Sequence, residues 1–130
     1  MKKVSMVLSI LIIFSIVCII SCKKELPRDK KEELITEKLI ESSELFNKKE
    51  YSKSLKVCKE ILSLDSNNTV AMKRIGSIYY MNNFPEKANE IWEKVLKSSP
   101  DDREVKNALK LLKNQSKEQS KTELDIKELK

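Results

Sequence analysis

Apolar side chains recur at helical spacing through most of the chain beyond residue 34. Ile35, Leu39, Ser42, Leu45 and Phe46 fall on one helical face, and Tyr51, Leu55, Cys58 and Leu62 fall on the next. Met72, Ile75 and Tyr79 form a third set, Ala88, Ile91, Trp92 and Val95 a fourth, and Val105, Ala108, Leu109 and Leu112 a fifth. The pattern predicts five amphipathic helices and an all-α domain over residues 32–112. From Lys113 the residues are mostly Lys, Gln, Ser and Glu. That predicts a frayed or disordered polar tail over 113–130, in which Leu124, Ile126 and Leu129 could make a short docking segment.

The helical faces repeat. An offset of 34 residues pairs Ser42 with Gly76, Leu45 with Tyr79, Ser54 with Ala88, Cys58 with Trp92, and Ser66 with Pro100. It also aligns Leu62–Asn68, LSLDSNN, with Leu96–Asp102, LKSSPDD. Small residues at 42, 54, 76 and 88 belong where two helices of a hairpin approach most closely. Asn82-Asn83 before Pro85 reads as a turn followed by a helix start, because proline lacks only an N–H that the first helical turn leaves unpaired. Ser99-Pro100-Asp101-Asp102 reads similarly, with Ser99 as N-cap and two carboxylates at the positive end of the helix dipole.

Met72-x-x-Ile75-Gly76-x-x-Tyr79, Ala88-x-x-x-Trp92 and Pro100 resemble the tetratricopeptide (TPR) repeat, a 34-residue helix–turn–helix unit. The first repeat is degenerate, with Lys38, Glu41-Ser42, Leu45, Ser54, Cys58 and Ser66 at the same places. The resemblance implies two TPR hairpins, over about 35–68 and 69–102, and a C-terminal covering helix over 103–112. Together they would form a short right-handed α-solenoid. Such units cannot bury their faces alone and about three are usually needed, so marginal stability is expected, with gain from a partner or from self-association.

In TPR proteins the first helix of each repeat lines a concave partner-binding groove. The 34-residue register then places Thr36, Leu39, Ser43 and Phe46 in it from the first repeat. Lys73, Ser77, Tyr80 and Met81 would join them from the second, and Asn107 from the last helix. The family's carboxylate-clamp variant is not expected. Only Lys73 and Arg74 fit it, and Glu104 would repel a carboxylate.

The N-terminal region belongs to another class. Lys2-Lys3 precede an uncharged apolar run from Val4 to Ile20, 17 residues long. This has the layout of a secretory signal peptide and falls short of the about 20 residues of a membrane span. Lys23, Lys24, Arg28, Lys30 and Lys31 follow the run, so on the positive-inside rule an uncleaved single-span anchor stays open as an alternative. Ile19-Ile20-Ser21-Cys22 resembles the lipobox of bacterial lipoproteins, with isoleucine in place of the commoner leucine. That resemblance implies a signal peptide over 1–21, a covalent lipid such as palmitate on Cys22, and a polar tether over 22–31. Several acyl chains hold a soluble domain stably where one binds marginally. Cys58 would then be the only thiol, with no disulfide partner, and reads as a small apolar residue on a buried face.

Composition narrows the chemistry. The chain lacks histidine and has one glycine, which excludes Ser-His-Asp and Cys-His catalysis, most zinc sites, and glycine-rich phosphate loops. Asp101-Asp102 is better read as helix capping than as a metal or acid pair, and Trp92 and Tyr79 as core. The net charge of +6 falls to +4 without residues 1–21, and these charges are interspersed with acids along the chain. A nucleic-acid face would need them segregated, so no nucleic-acid partner is expected.

The expected protein is a non-enzymatic, lipid-tethered TPR scaffold of the bacterial cell envelope. It carries no cofactor apart from the lipid. The lipobox-then-TPR order is similar to that of the TPR lipoprotein subunit of the outer-membrane β-barrel assembly machine. That likeness implies envelope partners at the periplasmic face of the outer membrane. The alternatives are a surface lipoprotein contacting host molecules and the anchored adaptor.

Overall fold

The computed structural model describes residues 26–128, and side chains through residue 118. The expected signal peptide, Cys22 and the start of the tether lie outside the described residues. The chain divides into a unit of residues 1–31 and a unit of residues 32–130, and the helix stack belongs to the second. Five helices occur among the described residues: α1 (Arg28–Asn47), α2 (Tyr51–Leu64), α3 (Thr69–Met81), α4 (Pro85–Ser98) and α5 (Arg103–Glu128). Two boundaries differ from expectation. The last four tether residues, from Arg28, already belong to α1. The covering helix continues 16 residues past Leu112 to Glu128, so the tail is helical through that point. Its Lys, Glu and Gln are good helix formers once a packed first turn has nucleated the helix.

The period of 34 is carried by the backbone as well as by side chains. The Lys49 N–H donates to Phe46 O and that of Glu50 to Leu45 O, both at 2.9 Å. One period on, Asn83 donates to Tyr80 O at 3.0 Å and Phe84 to Tyr79 O at 2.9 Å. Each hairpin turns at a left-handed residue, Lys49 and Asn83, both with φ of 61°. Asparagine tolerates that conformation far better than lysine. The second helix of each repeat ends alike, with Asp65 N–H on Ile61 O and Ser99 N–H on Val95 O, both at 2.8 Å.

The start of α5 corrects the expected cap. Ser99 terminates α4, and Pro100 and Asp101 form a turn closed by the Asp102 N–H on Ser99 O at 3.2 Å. Asp102 is the cap, accepting from Val105 N–H at 3.0 Å, as Asn68 accepts from Ala71 N–H at 3.0 Å in the register before. Pro85 does occupy the first turn of α4.

Successive helices pack on one another, α3 and α4 most extensively. Val57, Cys58, Ile61, Ala71 and Ile75 make one buried cluster, and Ala88, Trp92, Val95, Val105 and Leu112 make another. Tyr79 packs against both. Gly76 lets α3 meet the face of Trp92, because a Cβ there would sit 2.5 Å from Trp92 Cδ1. The indole N–H then donates to the carbonyl of Lys73 at 3.3 Å.

The first repeat solves the same contact with polar atoms. Ser42, Ser54 and Cys58 are all fully buried. Ser54 Oγ donates to Ser42 O at 2.8 Å, and Arg74 reaches across from α3 to donate to Ser42 Oγ at 2.5 Å and Leu39 O at 3.2 Å. Leu39 is the register partner of Lys73, so the carbonyl that Trp92 meets in the second repeat is met by Arg74 in the first, together with the Ser42 hydroxyl at 3.0 Å. Burial pushes the Cys58 thiol above its ordinary pKa, against the pull of Ser42 and Arg74. It is an inert structural cysteine rather than a reactive one.

Candidate partner-binding groove

The first helices of the repeats, α1, α3 and α5, bring Phe46, Ser77, Tyr80, Met81, Ala108 and Leu111 around a groove of about 280 Å³, with Trp92 as its floor. Four of the nine expected groove residues, Phe46, Ser77, Tyr80 and Met81, therefore meet in one place. The aromatic walls are held rigidly. Phe46 lies 5.4 Å from Tyr51 and Tyr80 lies 6.1 Å from Trp92, centroid to centroid. The Gln115 amide donates to the Tyr80 hydroxyl at 3.0 Å, so that ring is fixed at both ends. Ser77 Oγ is already donating to Lys73 O at 3.1 Å. What the groove offers is apolar surface, with Met81 53% and Leu111 61% exposed at its rim.

Charge at one end is balanced internally. Lys73 Nζ lies 2.7 Å from Glu104 and 3.2 Å from Asp102. The hydrogen bond to Glu104 raises the Lys73 pKa above its ordinary value. The Val105 N–H holds the Asp102 carboxyl below the usual aspartate value, and Lys73 adds to this. Arg74 is committed to Leu39 and Ser42. Both cations that a carboxylate clamp would use are thus engaged within the fold.

The other expected groove residues stand apart from this depression. Thr36 is exposed and donates to Glu32 O at 2.9 Å. Leu39 packs against the first core cluster. Ser43 is half-buried on α1, and Asn107 is exposed on α5. Trp92, Ala108 and Leu111 were not among the expected residues. Leu111 was legible, since it lies 34 residues after Ser77. Trp92 was assigned to the core, where it also belongs.

A second depression of about 640 Å³ lies between α4 and α5, with Glu86, Asn89 and Glu93 on one wall and Leu109, Leu112 and Lys113 on the other. No group of three metal-ligating side chains occurs among the described residues. No described helix is long and apolar enough to cross a membrane.

Neither a protein-family model nor a curated protein sequence matches this chain. A solved structure does: the C-terminal TPR-containing domain of a Plasmodium falciparum FK506-binding protein. It superimposes with a TM-score of 0.63 at 24% identity, over 78% of this chain and 70% of that one. With the 34-residue register in both its core and its backbone hydrogen bonds, the chain has the fold of a tetratricopeptide-repeat domain, two helix hairpins closed by a fifth helix.

Proposed function

We propose that this protein is a non-enzymatic interaction scaffold of the bacterial envelope, tethered by lipid on Cys22, whose groove takes apolar side chains of a partner polypeptide. The observation that carries the reading is the groove itself: Phe46, Tyr80, Met81 and Leu111 converge around about 280 Å³ with two of the four exposed. That volume lies below the about 300–1,000 Å³ of small-molecule sites, and it suits one or two side chains of a peptide. Exposed apolar surface of this kind, rimmed by polar residues, marks interaction sites. The partner class is another envelope protein. A β-barrel assembly component at the periplasmic face of the outer membrane fits the lipobox-then-TPR order best.

The test is in-cell cross-linking of the full chain with a photoreactive residue at Tyr80 or Met81. Capture of envelope proteins, lost when Leu111→Asp is added, is the expected result. Capture unaffected by Leu111→Asp would remove the groove from the reading. The tether is tested separately by radiolabelled palmitate, expected in the wild type and absent in Cys22→Ala.

A further inference from the structure

The charges that alternate along the chain are sorted by helix face in the fold. On α1, Glu33, Glu37, Glu41 and Glu44 are all exposed and fall within an arc of about 80° at 100° per residue. On α5, Arg103, Lys106, Lys110, Lys113 and Lys117 are all exposed and also fall within about 80°. Apart from Lys30 in its first turn, which falls in the same arc, the α1 stripe is acidic, and the α5 stripe is basic from Arg103 to Lys117.

The repeat register locates both stripes at the ends of the stack. Glu37, Glu41 and Glu44 correspond to Ala71, Ile75 and Ile78, which are buried, and to Val105, Leu109 and Leu112, which are buried or half-buried. In α3 and α5 those positions pack on the preceding helix; in α1 they face outward. Lys106, Lys110 and Lys113 correspond to Met72, Gly76 and Tyr79, which face α4. Lysine stands where the interior repeat needs glycine, and it presents the outer face of α5 to solvent.

Lys38 feels Glu37 and Glu41 but is itself paired with Glu60, so neither stripe is fully neutralised within the molecule. Among the nine stripe residues only Lys106 has an ion pair, at 3.3 Å to the fully exposed Asp101. Like charges four apart on a helix repel, as in Glu33–Glu37–Glu41, Lys106–Lys110 and Lys113–Lys117. Each face is therefore relieved by an opposing face of the other sign. An anionic lipid surface would relieve α5 and repel α1. A second molecule of this chain relieves both faces at once.

We infer that molecules of this protein associate head to tail, the acidic α1 face of one against the basic α5 face of the next. The contact is heterologous, with different patches meeting, so it extends the stack rather than closing a pair. It is electrostatic and between exposed side chains, so it is weak and salt-sensitive. It leaves the groove unoccupied and is independent of what the groove binds.

The test uses tagged and untagged full chains together in a non-ionic detergent. At about 50 mM NaCl the tagged chain is expected to retain the untagged one, and at about 500 mM at least tenfold less, because the screening length shortens about threefold. Lys106→Glu/Lys110→Glu/Lys113→Glu in both partners, giving two acidic ends, abolishes retention. Glu37→Lys/Glu41→Lys/Glu44→Lys in both partners, giving two basic ends, does the same. Tagged chain of one kind with untagged chain of the other restores it, which also shows that both variants fold. No retention of wild type, retention indifferent to salt, or failure of the mixed pair overturns the inference. Wild type that sediments with vesicles of anionic phospholipid while retaining no second chain overturns it in favour of a lipid surface.

Discussion

Arg74 and Trp92 donate to register-equivalent carbonyls, Arg74 to Leu39 O at 3.2 Å and Trp92 to Lys73 O at 3.3 Å. The two donors come from different helices and have different chemistry, yet each closes the same gap beside the small residue of its hairpin. In the second repeat Trp92 fills the space over Gly76. In the first, Cys58 is too small, and a guanidinium from the next repeat supplies the donor. This couples the degenerate repeat to its neighbour, so the first hairpin is not complete without α3.

Arg74→Met should therefore destabilise the protein although it removes no apolar contact. It removes two hydrogen bonds, while Ser42 Oγ still donates to Leu39 O, so the expected cost is about 1 kcal/mol. Arg74→Lys should recover only part of this, since both bonds come from one terminal nitrogen, Nη1, and the lysine side chain ends about one bond short of it. Urea unfolding with an unchanged m-value is the measurement; a shift under about 0.5 kcal/mol in Arg74→Met would count against the coupling.

Gly76→Ala should lower stability despite the better helix propensity of alanine. The new Cβ meets Trp92 Cδ1 at 2.5 Å and Cε2 at 2.8 Å, and the indole is held by Lys73 O. Overpacking of this kind costs about 1–3 kcal/mol, against a propensity gain of about 1 kcal/mol. Pairing it with Trp92→Leu should make the two costs non-additive, the substitution being far milder once the ring is gone. A double-mutant cycle by thermal unfolding measures this.

Lys49→Asn should stabilise. Lys49 holds φ at 61°, where a lysine side chain is strained and asparagine, as at Asn83, is tolerated. The gain expected is about 0.5–1 kcal/mol, and Asn83→Lys should lose a similar amount. Opposite shifts in melting temperature for the two variants check the register as well as the strain.

Asp102 makes stability pH-dependent. Its folded pKa is depressed by the Val105 N–H and by Lys73, so its contribution is present above the ordinary aspartate value of 3.8 and is lost as pH falls through the lower folded value. Asp102→Asn keeps the cap, as Asn68 does, and should flatten that part of the acid limb. Asp102→Ala should also lose the cap, at about 1 kcal/mol. Acid titrations followed by circular dichroism separate the two.

The hairpins were legible because their contacts are encoded locally: Gly76, Ala88 and Trp92 advertise close approach, and the offset of 34 exposes even the degenerate repeat. The role of Arg74 was not, because its acceptors lie 32 and 35 residues away and the matching position carries a different donor. The same holds for Lys73, which spacing places in the groove but Asp102 and Glu104 draw into an ion-pair cluster. The charges looked mixed because a linear reading averages over helix faces. Only the register, which says which faces end the stack, sorts them into an acidic and a basic side.

Lys110 shows how the extent of such an array is written. At the corresponding places, Ser42 and Gly76 admit the second helix of their hairpins; at the third, a four-carbon cation stands in the doorway. A lysine at this position keeps a further helix from packing on α5 as α4 packs over Gly76. A lineage could lengthen the structure by first exchanging that lysine for a small residue, a change the existing fold would hardly feel.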